Sequence, residues 1–143
     1  TDPSAEGKVV DASEGTLTLE VDGEQYTLET ANAYVVGKNG IEVNKNATVT
    51  YLGALDDAPM ALKVVMEDSY DTPESEINAF IGTVAQVNED GAGIVLESAD
   101  GDFFTFVSDS IDFTEYEEDQ TLKITYTGTI SAKEIPAVEV TAQ

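Results

Sequence analysis

The sequence predicts an all-β protein made of two tandem five-stranded small barrels related by internal duplication. Three observations carry that prediction. The chain repeats its own pattern at a spacing of 75 residues, first seen between Gly7 and Gly82. Apolar and polar residues alternate with period two over most of its length, as they do in half-buried strands. The alternating runs are separated by short Asp-Gly and Glu-Gly pairs, which supply the positive φ that tight hairpins need.

In the first repeat the strands are expected at about Gly7 to Ala12, Thr16 to Val21, Gln25 to Thr30, Ala47 to Leu52 and Met60 to Met66. Leu17, Leu19 and Val21 share one face, and Tyr26 and Leu28 flank an outward Thr27. Glu14-Gly15 and Asp22-Gly23 close the two hairpins. In the second repeat "GTVAQV" meets "GKVVDA", and "IVLESADGDFFTF" meets "TLTLEVDGEQYTL". This register matches Asp100-Gly101 with Asp22-Gly23, Phe104 with Tyr26 and Phe106 with Leu28. Extra residues fall around Asp90-Gly91-Ala92-Gly93 and beside Ala99. Further on "LKITYTG" meets "ATVTYLG", pairing Tyr126 with Tyr51 and Gly128 with Gly53, and "PAVEV" meets "PMALKV". Leu122, Ile124 and Tyr126 alternate with Lys123, Thr125 and Thr127. A longer excursion follows the third strand of each repeat, Ala31 to Asn46 and Ser108 to Gln120. It has no helical stripe, and a helical turn or an extra strand would fit it.

The domain boundaries expected are residues 1–66 for the first barrel, 67–79 for an acidic linker bearing Pro73, and 80–143 for the second barrel. Tyr70 and Ile77 would let that linker dock as a tight connector. Five strands in about 60 residues with a long third connection is the pattern of an OB-like barrel. An SH3-like barrel and a merged ten-stranded sandwich are the alternatives.

Composition narrows the chemistry. The 143 residues hold 29 acids against six lysines, a formal charge of −23. Arginine, histidine, cysteine and tryptophan are absent. Nucleic-acid binding needs cations to displace counterions, so no nucleic acid is expected as partner. The same charge opposes anionic lipid surfaces. Ser-His and Cys-His nucleophile systems and nitrogen/sulfur zinc sites cannot be built. The expectation is a non-enzyme with no catalytic, cofactor-binding or metal residues and no cofactor. No apolar run approaches the roughly 18 residues of a membrane-spanning helix, so no membrane insertion is expected, and a monomer is. The charge is distributed unevenly, four lysines against eleven acids in residues 5–67 and two against thirteen in 80–143. It also predicts stability that rises with salt.

The pattern GxVxxxxxGxLxLxxxDGxxYxL, followed by "VTYLG" or "ITYTG" and a late strand, resembles small OB-like repeats of secreted proteins and lipoproteins of Gram-positive bacteria. The resemblance spans both repeats. Such domains largely lack an assigned activity, so it implies an extracellular or cell-envelope setting rather than a reaction. The opening "TDPSAEG", without an initiating Met, fits a mature product, lipid-anchored through a removed N-terminal segment, as well as an excised domain. "VTYLGAL" and "ITYTGTI" also resemble one strand of FKBP-type prolyl isomerases. The helix and tryptophan that follow in that family are missing here, and isomerase activity is not expected.

Two kinds of candidate site remain. Ser108-Asp109-Ser110-Ile111-Asp112, Glu115 to Asp119 and "NEDGAG" at Asn88 to Gly93 gather carboxylates on loops, the donor type calcium takes. The EF-hand order is absent, and a solvated acidic surface is the favoured reading. A carboxylate pair for glycoside chemistry cannot be selected among 29 acids. Among the aromatics, Tyr26, Tyr51, Phe104, Phe106 and Tyr126 are expected inward, Phe103 and Gln25 outward, and Tyr34, Tyr70 and Tyr116 outside the strands. The function expected is a binding or surface-display module with an unknown protein or glycan partner. A calcium-dependent or carboxylate-based carbohydrate binder or glycan-active protein is the alternative.

Overall fold

The computed structural model describes residues 2–143. Eleven strands form two separate rings. β1 (Ser4–Ser13), β2 (Thr16–Val21), β3 (Glu24–Glu29), β4 (Tyr34–Val36), β5 (Asn46–Leu52) and β6 (Met60–Met66) make the first. β7 (Asn78–Val87), β8 (Gly93–Glu97), β9 (Phe103–Val107), β10 (Thr121–Tyr126) and β11 (Ile135–Ala142) make the second. The chain divides into two compact units, Asp2–Asn78 and Ala79–Gln143.

The second ring is a closed barrel in the order β7-β8-β9-β11-β10. The first runs β3-β2-β1-β5-β6 and closes through a parallel pairing of β3 with β6 at Glu29 and Met60. Numbering five strands within each ring, both orders read 1-2-3-5-4, with strands 3 and 5 parallel. That is the Greek-key order of an OB-like barrel. The fold is therefore all-β, two tandem small barrels.

The ladders agree in fine detail. β1 and β2 pair Val9 with Leu19, then slip at a bulge to Asp11 with Thr18. β7 and β8 pair Val84 with Leu96, then slip at the matching place to Gln86 with Val95. A second bulge falls between Thr50 and Tyr51 and, 75 residues on (50 to 125), between Thr125 and Tyr126. The bulge kinks the strand and increases its local twist, which a ring of five strands needs in order to close. Val9 N–H donates to the Lys45 carbonyl and Val84 N–H to the Gln120 carbonyl, both at 2.8 Å. Gly7 and Gly82 both lie where a Cβ would press on a carbonyl of the neighbouring strand, that of Glu20 and that of Glu97.

The ladders shift one of the sequence matches. Ala61 and Lys63 face Tyr51 and Thr50, as Ala137 and Glu139 face Tyr126 and Thr125. "ALKV" thus takes the place of "AVEV", and the two prolines, Pro59 and Pro136, are one position apart rather than equivalent.

Leu17, Leu19, Leu28, Val49 and Val64 fill the first barrel, all fully buried. Val21, Tyr26 and Tyr51 are half-buried and pack against them, with Tyr26 O–H reaching Glu24 Oε2 at 2.7 Å. Ile94, Leu96, Phe106, Leu122 and Ile124 fill the second, joined by Phe80. The Phe80 ring lies 4.9 Å from Phe104 and 6.0 Å from Phe106, and Phe106 lies 6.1 Å from Tyr126. Phe113, fully buried, sits in a 3-10 turn, Phe113–Glu115, within the long excursion. Phe103 and Gln25 face outward as expected.

The excursion of the first barrel holds an extra strand instead. β4 pairs parallel with β6, Tyr34 with Lys63, Val35 with Val64 and Val36 with Val65. Tyr34 is therefore a strand residue, contrary to its expected place outside the strands. The stretch 67–78 folds as two 3-10 turns, Glu67–Ser69 and Pro73–Glu76. It is tied to the first unit by the Lys63 ammonium, which donates to Ser75 O at 2.8 Å, Ile77 O at 3.1 Å and Asn78 Oδ1 at 3.1 Å. Burial lowers the pKa of that ammonium, and the Glu76 carboxylate partly offsets the effect.

Candidate functional site: the loop end of the second barrel

The first hairpin differs between the barrels, and the difference creates a concavity. In the first barrel Ser13 pairs with Thr16, so Glu14-Gly15 is a two-residue turn with Gly15 at φ 85°. In the second, Val87 pairs with Ile94, leaving Asn88 to Gly93 as a longer loop. Its backbone is held by two main-chain bonds and one side-chain bond. Gly91 N–H donates to Asn88 O at 3.0 Å and Asn88 N–H to Gly93 O at 3.0 Å. Asp90 Oδ1 accepts from Ala92 N–H at 2.9 Å.

The loop after β9 is knitted to it. Ser108 N–H donates to Ala92 O and Phe113 N–H to Gly91 O, both at 3.0 Å. Ser108 Oγ accepts from the N–H groups of Ser110 and Ile111 at 3.1 Å. Asp112 Oδ1 accepts from Thr114 N–H at 3.0 Å and from Thr114 Oγ1–H at 2.6 Å. Gly91 has φ 74°, and a Cβ there would stand 2.6 Å from Asp112 Oδ1, so glycine is required by both backbone and space.

Between these loops and the start of β11 lies an open cleft of about 640 Å3, edged by Asn88, Asp90, Ser108, Asp109, Ser110 and Glu134 and floored by Val107, Pro136 and Ala137. A smaller hollow of about 390 Å3 continues from it towards Asp112. The sequence singled out Ser108 to Asp112 and Asn88 to Gly93 separately, and the fold brings the two together. Glu134 and the β11 residues of the floor carried no signal, because their closeness to Asp90 depends on the parallel pairing of β9 with β11.

The chemistry of this place is polar and anionic. Its carboxylates accept hydrogen bonds and attract cations, and its serines and Asn88 can both donate and accept. Asp112 is held below the usual carboxylate range by its two hydrogen bonds from Thr114, the opposite of a general acid, which must keep its proton near neutrality. Among the described residues no three acidic side chains gather closely enough to hold a metal ion. Glu115 to Asp119 lies outside the cleft. Among the described residues no helix is long and apolar enough to cross a membrane.

Tyr70 is half-buried, and its hydroxyl, set beside Thr48 and Glu6, makes no hydrogen bond of good geometry. Burial pushes its ionisation up. Thr48 beside it works against that shift, and the Glu6 and Glu67 carboxylates add to it.

Fold and site together define a class, the tandem small OB-like barrel with a polar, acid-edged cleft at the loop end of one member. Comparison with known protein families and with characterised proteins finds no match to this chain.

Proposed function

We propose that this chain is a non-catalytic binding module of the extracellular space or cell envelope, built from two copies of one barrel, that engages a protein or glycan partner at the loop end of the second copy. One observation carries the reading. The cleft edged by Asn88, Asp90, Ser108, Asp109 and Glu134 exists where the second barrel has lengthened its first hairpin, at the end of the fold where OB-like barrels place their ligand-binding loops. The two bulges and the one strand-facing glycine repeated at a spacing of 75 residues (Gly7 to Gly82) support duplication. The absence of histidine and cysteine, and with them of Ser-His and Cys-His systems, supports a role without turnover.

The test is a glycan array together with a panel of lysine-bearing peptides, probed with the wild type and with the double variant Asp109→Lys, Glu134→Lys. Saturable binding to at least one probe, lost in the variant while the melting temperature holds, is the expected outcome. Hydrolysis of any probe that disappears on Asp109→Asn would overturn the reading.

A further inference from the structure

The two barrels place their fifth strands alike and then treat them differently. β6 is buried at every residue from Met60 to Met66. One of its edges pairs with β5 and the other with β4, level with Lys63, Val64 and Val65. The ladder equivalents of those three residues in β11 are Glu139, Val140 and Thr141. β11 pairs with β10 along its length, but with β9 only at Ile135 and Pro136. From Ala137 to Ala142 its second edge has no partner strand among the described residues.

That edge is equipped for pairing. Gln143 N–H bonds to Thr121 O, which puts Thr141 and Glu139 in the bonded pairs with β10. By alternation the N–H and C=O of Val140 point away from β10, toward the open side. Val64 stands at the same place and turns its own to β4. The side chains tell the same story. Val64 is fully buried and Val35 of β4 packs over its cluster, whereas Val140 is half-exposed. Leu62 is 1 % exposed and its equivalent Val138 is 61 % exposed.

We propose that the free edge of β11 is a strand-addition site for an extended, lysine- or arginine-bearing segment of a partner protein, paired parallel to Glu139–Thr141 as β4 is paired to Lys63–Val65. The occupant's chemistry follows from charge. The second repeat carries two lysines against thirteen acids over residues 80–143, and Glu139 stands where β6 has Lys63. A cation level with Glu139 complements it, and the next residue, apolar and β-branched, covers Val140 as Val35 covers Val64. A second copy of the chain, at −23 itself, is repelled from the same edge. The proposal extends the binding-module reading from the cleft to a second face.

The probe is a capped peptide Gly-Thr-Lys-Val-Val-Lys-Gly, with a control carrying glutamate in place of both lysines. Binding is followed by amide shifts in the full chain. Saturable shifts at Val140 and Ala142 are expected, with the lysine peptide at least tenfold tighter than the control and weakened by added salt. Glu139→Lys, at an exposed position, should lose at least tenfold. Val140→Pro, which removes an edge N–H that β10 does not use, should abolish binding. No shift at millimolar peptide, equal binding to Glu139→Lys, or a concentration-dependent dimer formed through this edge would each overturn the proposal. Shifts confined to Ser108 and Asp109 would leave the cleft reading standing and end this one. Binding at the edge that survives the Asp109→Lys, Glu134→Lys double variant would separate the two sites.

Discussion

In the first barrel the fifth strand is buried from Met60 to Met66, whereas in the second it exposes Pro136, Val138, Glu139, Thr141 and Ala142. The ladders, bulges and strand-facing glycines around the two strands correspond. The difference comes from what has been laid over them. β4 covers the edge of β6, and Lys63 draws the chain at Ser75 to Asn78 toward the same strand. The ring of five strands thus closes its ladder in the same way in both barrels, while the third connection is left to vary. In one barrel it became a strand, in the other a 3-10 turn that plugs Phe113 inward and shapes a cleft.

The largest effect should come from the feature the barrels share. Gly7→Ala drives a Cβ into the Glu20 carbonyl, backbone that cannot swing away. Gly82→Ala meets the Glu97 carbonyl at 3.0 Å and the Phe80 ring edge at 2.6 Å. Overpacking costs about 1–3 kcal/mol and more where backbone must shift, so Gly7→Ala should lower stability by about 3 kcal/mol and Gly82→Ala by somewhat less. Amide exchange should localise each loss to its own barrel. A Gly7→Ala protein as stable as wild type would break the equivalence of the two closures.

Next is the feature they do not share. Lys63→Met leaves the Ser75 and Ile77 carbonyls and Asn78 Oδ1 without their donor, at about 1–2 kcal/mol, offset in part by relief of a buried charge. Exchange at the Ser75 and Ile77 amides should quicken about tenfold while β9 and β10 are unchanged. The pH dependence has a definite sign. Burial lowers the Lys63 pKa in the folded state, so the unfolded chain binds this proton more tightly, and stability rises with pH between the lowered value and the ordinary 10.5. The wild type should gain on the Met variant across that window. A constant difference would mean that Lys63 is not desolvated.

How much of this could be read beforehand follows the physics of each element. β2 and β6 have the ends the alternation predicts, Thr16 to Val21 and Met60 to Met66, because hairpin glycines and apolar runs are local signals. β1 is longer, Ser4–Ser13, because pairing with β5 recruits polar residues that have no preference of their own. β4 was illegible. Three residues, Tyr34 to Val36, are too few to show a period, and their strand state is imposed by β6. Phe80 and Phe113 stood outside the expected core for a similar reason, since one precedes the predicted strand and the other lies in a loop. The burial of Lys63 has no local signal, and only the returning chain at Ser75 to Asn78 explains it. The cleft was half legible, as two acidic loops whose meeting depends on long-range pairing.

A smaller effect sets the first barrel's orphan hydroxyl against its surroundings. Tyr70→Phe removes a buried O–H whose approach to Thr48 and Glu6 falls short of good hydrogen-bond geometry, so it should be neutral or raise stability by about 1 kcal/mol. Its ionisation is raised by burial, so the folded state keeps this proton when the unfolded chain has lost it. Stability is full below the ordinary 10.0 and falls as pH rises through the raised folded value. The Phe variant should fall less steeply above pH 10, the reverse of the Lys63 trend. Destabilisation at neutral pH would show that the hydroxyl has a partner in solution.

The smallest effect belongs to the second barrel's own excursion. Asp112 is exposed, and its Oδ1 accepts two bonds from Thr114 at the start of the turn that seats Phe113. Those bonds lower its pKa, so their support is present above the ordinary 3.8 and is lost as pH falls through the depressed folded value. Asp112→Ala should speed exchange at the Thr114 amide about fivefold and leave the first barrel untouched, while Asp112→Asn, which keeps an acceptor oxygen, should lose less. The variant also bears on the cleft, because a Cβ at Gly91 would press on this same carboxylate. If the carboxylate holds the two loops together, Asp112→Ala should shift the amide resonances of Gly91 and Ala92 as well as that of Thr114. Shifts confined to Thr114 would mean that the loops are held by backbone bonds alone, Phe113 to Gly91 and Ser108 to Ala92.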